Sequence, residues 1–264
     1  MTEPTAERPV RPPPTSVRTP DNVAATLERL VLDGVLKPGQ LLPSERRLCD
    51  KLGVSRASLR EGLRVLRGKG IIDTQQGRGS VVARLLPQRD DSPLMHLFRD
   101  HPRTLYDLLE VRSLLEGESA RLAALRGTPA DRVIVTRRFE EMTDYVASTG
   151  AVDVERLARL DHGFHLAICE ASHNPVLVHT LQGLTDLLLS SVFASVKNLY
   201  HRPEPRAQIN RQHGRLYRAV IGGKPDQARR AALDHLKSVG ENLREIEAED
   251  ERLVRSAMRL EGWE

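Results

Sequence analysis

Four residues with metal-ligand chemistry fall on apolar helical faces in the second half of the chain. Asp161 and His165 stand four apart along one edge of the stripe formed by Leu157, Leu160, Phe164 and Ile168. Side chains at that spacing lie one above the other on a helix. His213 falls inside the stripe of Ile209, Leu216 and Val220, and His235 inside that of Ala228, Ala232 and Val239. Three inward histidines and an inward carboxylate each need a buried partner. Two arrangements meet that need: separate hydrogen bonds in the core, or one divalent metal ion shared by all four. Neutral imidazoles and a carboxylate suit Zn²⁺, Ni²⁺ or Mn²⁺, and an open coordination position can take a further ligand. Arg112, in an apolar face with Leu105 and Leu109, also points inward. Its guanidinium suits the carboxylate of an anionic ligand, or a salt bridge with a residue such as Glu116.

A second constellation lies in the first third. Leu59, Leu63 and Leu66 share one helical face, and Arg56, Arg60, Arg64 and Arg67 form a stripe beside it. One face can therefore pack while its flank stays cationic. Arginine pairs with phosphate or bidentately with guanine. Ser55, Ala57 and Ser58 are small enough to let the N-terminal end of that helix approach base edges, and helix N-termini favour phosphate. Arg46 is placed to anchor the backbone, and Arg78 to reach a minor groove. A surface helix carrying arginine for solubility is the plain alternative.

The elements that position these residues are readable from punctuation. Residues 1–20 are proline-rich and read as a disordered arm. A helix follows from Asp21 to about Asp33, stopped by Gly34 and Pro38-Gly39. Ser44 caps a short second helix, Gly53 closes it, and Ser55 caps a third that ends at Gly70. Two short helices joined by a glycine turn are a helix-turn-helix. Ile71–Gln76 and Ser80–Ala83 flank the turn Gly77-Arg78-Gly79 and read as a β-hairpin wing. Residues 21–84 are thus one DNA-binding domain and 85–103 a linker. Beyond it the periodicity is helical throughout, at about 104–125, 129–148, 153–172, 175–199, 206–221 and 225–248. The fold class is mostly α, with an antiparallel helical bundle over 104–249 and a C-terminal tail from 250 to 264.

Charge separates the two domains. Residues 1–86 hold 15 Lys and Arg against 9 Asp and Glu, whereas the remainder holds 25 against 27. A basic small domain joined to a slightly acidic larger one fits a polyanion partner for the first only. No apolar run approaches the roughly 20 residues that span a bilayer. Cys49 and Cys169, far apart, form no disulfide framework and fit a reducing cytoplasm.

Leu42-Pro43-Ser44-Glu45-Arg46-Arg47-Leu48, with Leu52-Gly53-Val54-Ser55-Arg56-Ala57-Ser58-Leu59-Arg60-Glu61 and Gly77-Arg78-Gly79, resembles the winged-helix domain of GntR-family regulators. The resemblance implies that Arg46, Ser55, Arg56, Ser58, Arg60 and Gly77 contact DNA. Ala57 departs from members with Thr or Asn at that position. Asp161-x-x-x-His165, His213 and His235 resemble the metal quartet of the FCD ligand-binding domain of the FadR subfamily, which favours the shared metal ion. Stretches such as Pro102–Leu109, Leu115–Ala123 and Asn198–Pro203 extend the likeness through nearly the whole chain. They imply the members of the family that activate glycolate-utilisation genes in response to glycolate. A 2-hydroxy acid can chelate a metal through carboxylate and hydroxyl, leaving an oxygen for Arg112.

The expectation is a cytoplasmic, homodimeric transcription factor on double-stranded operator DNA, since one helix-turn-helix reads only a half-site. RNA polymerase is a candidate partner, and lactate, pyruvate or another small carboxylate, with repression, is the alternative reading. A metal-dependent hydrolase fused to a DNA-binding domain is the rival from another class. It lacks an evident general base, because Glu170, His162 and His173 fall off the metal face.

Overall fold

The computed structural model describes residues 20–75, 79–83, 101, 103–148, 153–191 and 199–261, and the chain divides into two compact units, residues 1–84 and 85–264. In the first, α1 (Pro20–Leu32), α2 (Glu45–Leu52) and α3 (Arg56–Gly68) precede the hairpin of β1 (Ile72–Gln75) and β2 (Gly79–Val82). Proline opens α1 because its missing N–H is not needed at the first helical position. Pro20, expected in the arm, therefore belongs to the helix.

Val23, Ala24, Leu27 and Val31 form the buried face of α1, and Leu59, Leu63 and Leu66 that of α3. The two helices meet at Gly62, where an added Cβ would stand 2.9 Å from Val23 Cγ1 and 3.2 Å from the Pro20 carbonyl. Ser44 Oγ accepts from the Arg47 amide at 3.4 Å, and Ser55 Oγ accepts from the Ser58 amide at 3.1 Å. Between them Gly53 adopts φ 64°, a left-handed conformation costly for other residues, and its N–H closes α2 on the Cys49 carbonyl. The two caps and this glycine set the sharp turn from α2 into α3.

The hairpin is antiparallel in the register Ile72↔Val82 to Gln75↔Gly79, and Leu41 bridges to Val81 on its other side. Ile72 and Val82 pair facing the core. Gly79, expected in the turn, starts β2, while Gly77 and Arg78 lie outside the described residues.

The second unit is a bundle of α4 (Arg103–Arg126), α5 (Pro129–Ser148), α6 (Val154–Glu170), α7 (Pro175–Ser191), α8 (Pro203–Ile221) and α9 (Pro225–Glu261). The helix α4 packs against α6, α7, α8 and α9. Phe164, Leu157, Ile209, Leu216, Ala228 and Leu243 lie in the shared core. Three boundaries differ from the pattern of periodicity. Arg103, at the end of the expected linker, opens α4; α8 starts at Pro203 because its prolines occupy the first turn; and α9 continues through the expected tail to Glu261. The expected helix over 175–199 is described as α7 only to Ser191, with residues 192–198 outside the described set. Among the described residues no helix is long and apolar enough to cross a membrane.

Replacing Gly62 by leucine forces α1 off α3. Urea denaturation of the Gly62→Leu variant is expected to show a loss of about 1–3 kcal/mol. Unchanged stability would mean that this close approach contributes nothing to the N-terminal unit.

Candidate metal centre and nucleic-acid interface

In the N-terminal unit the buried leucines of α3 fix which side of the helix faces solvent. Arg56, Arg60, Arg64 and Arg67 are all exposed, as is Arg46 on α2. They do not stand alike. Arg60 Nε donates to Glu45 Oε2 at 2.9 Å, which ties α3 to the first turn of α2. Arg64 is clasped by Glu61, and Arg67 Nη1 donates to Thr74 Oγ1 at 3.4 Å. Arg46 and Arg56 have no ion pair among the described residues. Ser55 and Ser58 lie at the start of α3 with their hydroxyls 2.9 Å apart. The resulting surface offers two guanidiniums with no ion pair among the described residues, one braced on its neighbouring helix, and the amide-rich start of α3.

In the C-terminal unit the four expected donors converge. Asp161 and His165 come from α6, His213 from α8 and His235 from α9. Nε2 of His213 is 3.2 Å from Nε2 of His165 and 3.3 Å from Nε2 of His235. Oδ1 of Asp161 is 3.1 Å from Nε2 of His213 and 3.8 Å from Nε2 of His165. Donors held about 2.0–2.1 Å from one Zn²⁺ at tetrahedral angles stand about 3.3 Å apart. The three histidines form a group that could hold a metal ion, and His213 and His235 are buried.

Acceptors behind two of the rings bear on why Nε2 faces inward. Nδ1 of His165 lies 2.9 Å from Glu116 Oε2, and Nδ1 of His235 lies 3.3 Å from Gln212 Oε1. Both partners can only accept, which favours a hydrogen on each Nδ1, and in its neutral form each ring then presents a lone pair at Nε2. Gln212 is itself oriented by Ser238, whose Oγ is 2.7 Å from Nε2 of the amide. His213 Nε2 thus faces two lone pairs and a carboxylate, and one N–H can answer only one of them. A cation answers all three.

The charges point the same way. Burial would raise the Asp161 carboxyl, but His165 and His213 beside it hold it well below the usual carboxylate range. Burial would likewise raise Glu116, and Arg112 with His165 outweighs it, so this carboxyl also stays ionised. Burial lowers His165, yet Glu116 and Asp161 more than reverse that. His235 is held well below its ordinary value by burial and by its histidine neighbours. A buried carboxylate and a partly buried one meet at the centre, and among the described residues the positive charge that answers them is the Arg112 guanidinium and protonated imidazole, a role that a bound cation can take over. Oδ1 of Asp161 and Nδ1 of His213 are buried without a hydrogen-bond partner. The residues present fit a divalent metal.

Arg112 lies beside this centre but engages protein. Its Nε donates to Glu116 Oε1 at 2.8 Å and its Nη2 to the same oxygen. This is the salt bridge weighed as the alternative role, and it leaves Nη1 without a protein partner among the described residues. Two neighbours of the centre were absent from the sequence reading. Gln212 precedes His213 on the inward stripe of α8, and its burial was a legible signal. Tyr200 is buried near the Asp161 carboxylate, and no periodicity marked it. Burial and the adjacent carboxylate push the Tyr200 phenol well above its ordinary value, so it stays a donor.

A winged helix-turn-helix with an arginine-bearing third helix, joined to a helical bundle holding an inward donor cluster, defines a DNA-binding transcription regulator. Residues 19–82 match the bacterial regulatory proteins of the gntR family, and residues 107–238 match the FCD domain. The chain belongs to the GntR family and carries an FCD domain. It is 62% identical, over 90% of its length and 94% of the relative, to the Glc operon transcriptional activator of Escherichia coli (strain K12). It is 31% identical to the Galactonate operon transcriptional repressor of the same strain, over 86% of this chain and 97% of that one. Among solved structures, Streptococcus agalactiae GntR aligns with a TM-score of 0.53 and 25% identity, covering 84% of this chain and 99% of that one. These relatives are regulators, which sets the hydrolase alternative aside.

Zn²⁺ is expected to raise the thermal midpoint of the full chain, by about 4 kcal/mol of added stability at a thousandfold excess over Kd. Asp161→Asn and His235→Ala are expected to abolish that rise while far-UV circular dichroism keeps its helical signature. A metal-induced rise that survives both substitutions would place the ion elsewhere.

Proposed function

We propose that this protein activates genes for glycolate utilisation in response to glycolate, held at a divalent ion by Asp161, His165, His213 and His235. The convergence of three imidazole nitrogens and one carboxylate inside the FCD domain carries this reading. Zn²⁺, Ni²⁺ and Mn²⁺ all suit the donor set, and four protein donors leave room for a chelating anion on an ion that expands its coordination. The ion, when bound, supplies a Lewis-acidic anchor for the carboxylate and hydroxyl of a 2-hydroxy acid. The protein supplies the rest. Gln212 and Glu116 aim the imidazoles, the Tyr200 phenol lies near Asp161, and Nη1 of Arg112 offers N–H donors to an anion while the same guanidinium stays on Glu116. The 62% identity to the Glc operon transcriptional activator of Escherichia coli supports activation as the particular choice.

On the DNA side, Arg46, Arg56 and Arg60 with Ser55 and Ser58 form the groove-facing surface, and DNA contact by Gly77 and Arg78 is carried by the sequence alone. A cytoplasmic homodimer would read a two-fold operator, with activation passing to RNA polymerase. Effector binding shifts the equilibrium between two arrangements of the dimer by its difference in affinity for them.

Calorimetry of metal-loaded protein with glycolate, lactate and pyruvate tests the effector assignment. Glycolate is expected to bind most tightly, and a preference for lactate or pyruvate would move the assignment to that acid. For DNA, Arg56→Ala is expected to weaken operator binding by roughly 1–3 kcal/mol if it makes a bidentate base contact. Fluorescence anisotropy with labelled operator measures this, and unchanged affinity would take Arg56 off the groove.

A further inference from the structure

Among the described residues, Glu116 is the one buried carboxylate near the donor cluster that does not face it. Its side chain is 7% exposed, between Arg112 one turn earlier on α4 and His165 on α6. Its two oxygens are divided between these neighbours. Oε1 takes Nε and Nη2 of Arg112, and Oε2 lies 2.9 Å from Nδ1 of His165, the ring nitrogen opposite the one that faces the other donors. The approach to Nδ1 is close but off-axis, and Oε2 has no aligned donor.

Burying such a triad is a poor way to gain stability, because desolvating the charges offsets their attraction. Its placement has a chemical consequence instead. A carboxylate behind an imidazole keeps the hydrogen on Nδ1, leaves the Nε2 lone pair for a metal, and makes the ring a stronger ligand. The same carboxylate sets where the Arg112 guanidinium lies.

We propose that Glu116 is a positioning residue that holds His165 in its metal-binding tautomer and Arg112 in its anion-binding place, so that metal affinity and effector affinity are coupled through one side chain. The proposal rests on the reading of the cluster as a metal site with Arg112 facing an anionic effector. The coupling must be reciprocal: whatever factor glycolate adds to metal affinity, the metal adds to glycolate affinity. Glutamine at position 116 has nearly the same shape but a single acceptor oxygen. It can serve His165 or Arg112 but not both, and its amide hydrogens then face the donor left over.

The test is calorimetric titration of the apo full chain with Zn²⁺, with and without saturating glycolate, for wild type, Glu116→Gln, Glu116→Asp and Gln212→Ala. Glu116→Gln is expected to bind one equivalent of Zn²⁺ about 10–100-fold more weakly, with the effect of glycolate on that affinity reduced towards none. Glu116→Asp keeps both oxygens and the charge, and is expected to fall between wild type and Glu116→Gln in both readings. Gln212→Ala removes the partner of His235 alone, so it should weaken Zn²⁺ while leaving the glycolate effect intact. That contrast separates coupling from general damage to the site. Wild-type Zn²⁺ affinity with an intact glycolate effect in Glu116→Gln overturns the proposal. Should that variant fail to fold, the same wild-type behaviour in Glu116→Asp overturns it. Wild-type protein that takes up no Zn²⁺ would instead overturn the metal reading beneath it.

Discussion

A helical bundle has no spare backbone donors with which to satisfy ionisable groups in its interior, since its amides and carbonyls are consumed along each helix. Side chains must therefore satisfy one another or share an ion. In the C-terminal unit, residues from α4, α6, α8 and α9 meet under this constraint, and two of the imidazoles have an acceptor behind them, Glu116 behind His165 and Gln212 behind His235, whereas Nδ1 of His213 has none. The surrounding packing serves the same end. Phe164, fully buried, sets its ring edge-on to both His165 and His213 at centroid distances of 5.5 Å. Rigid aromatic walls limit how far the imidazoles can rotate, which is what a preformed metal site needs.

The N-terminal unit meets a different constraint. A short helix can be offered to a DNA groove only if the rest of the unit pins its orientation. Caps at Ser44 and Ser55, the left-handed Gly53 and the close approach at Gly62 do this with few residues. The arginines of α3 remain exposed, and Arg60 and Arg64 are partnered by neighbouring carboxylates rather than by the core.

Local patterns carried much of this. The inward stripes placed Asp161, His165, His213 and His235 on core faces, and cap residues located α2 and α3, because both signals arise within a few residues of chain. Which helices meet, and through which atoms, is a property of the packed bundle. For that reason Tyr200 was invisible, and Glu116 was visible only as a candidate partner for Arg112, not as the link from Arg112 to His165. The length of α9 was a different matter. Between Gly240 and Gly262 the chain has neither proline nor glycine and is rich in Glu, Arg, Leu and Ala. Those are strong helix formers, so fading core periodicity was the wrong stop signal there.

The clasp between Arg60 and Glu45, and that between Arg64 and Glu61, bear on how the protein meets a polyelectrolyte. Phosphate binding draws strength from releasing the small cations condensed on DNA, one for each positive charge brought in. An arginine that must first leave a carboxylate uncovers a negative charge as it arrives, and that charge gathers cations from solution. Its net release is then smaller than that of an unclasped arginine such as Arg56. Counting the guanidiniums on α3 therefore overstates how steeply added salt weakens the complex, and the carboxylates beside them act as a built-in buffer against ionic strength.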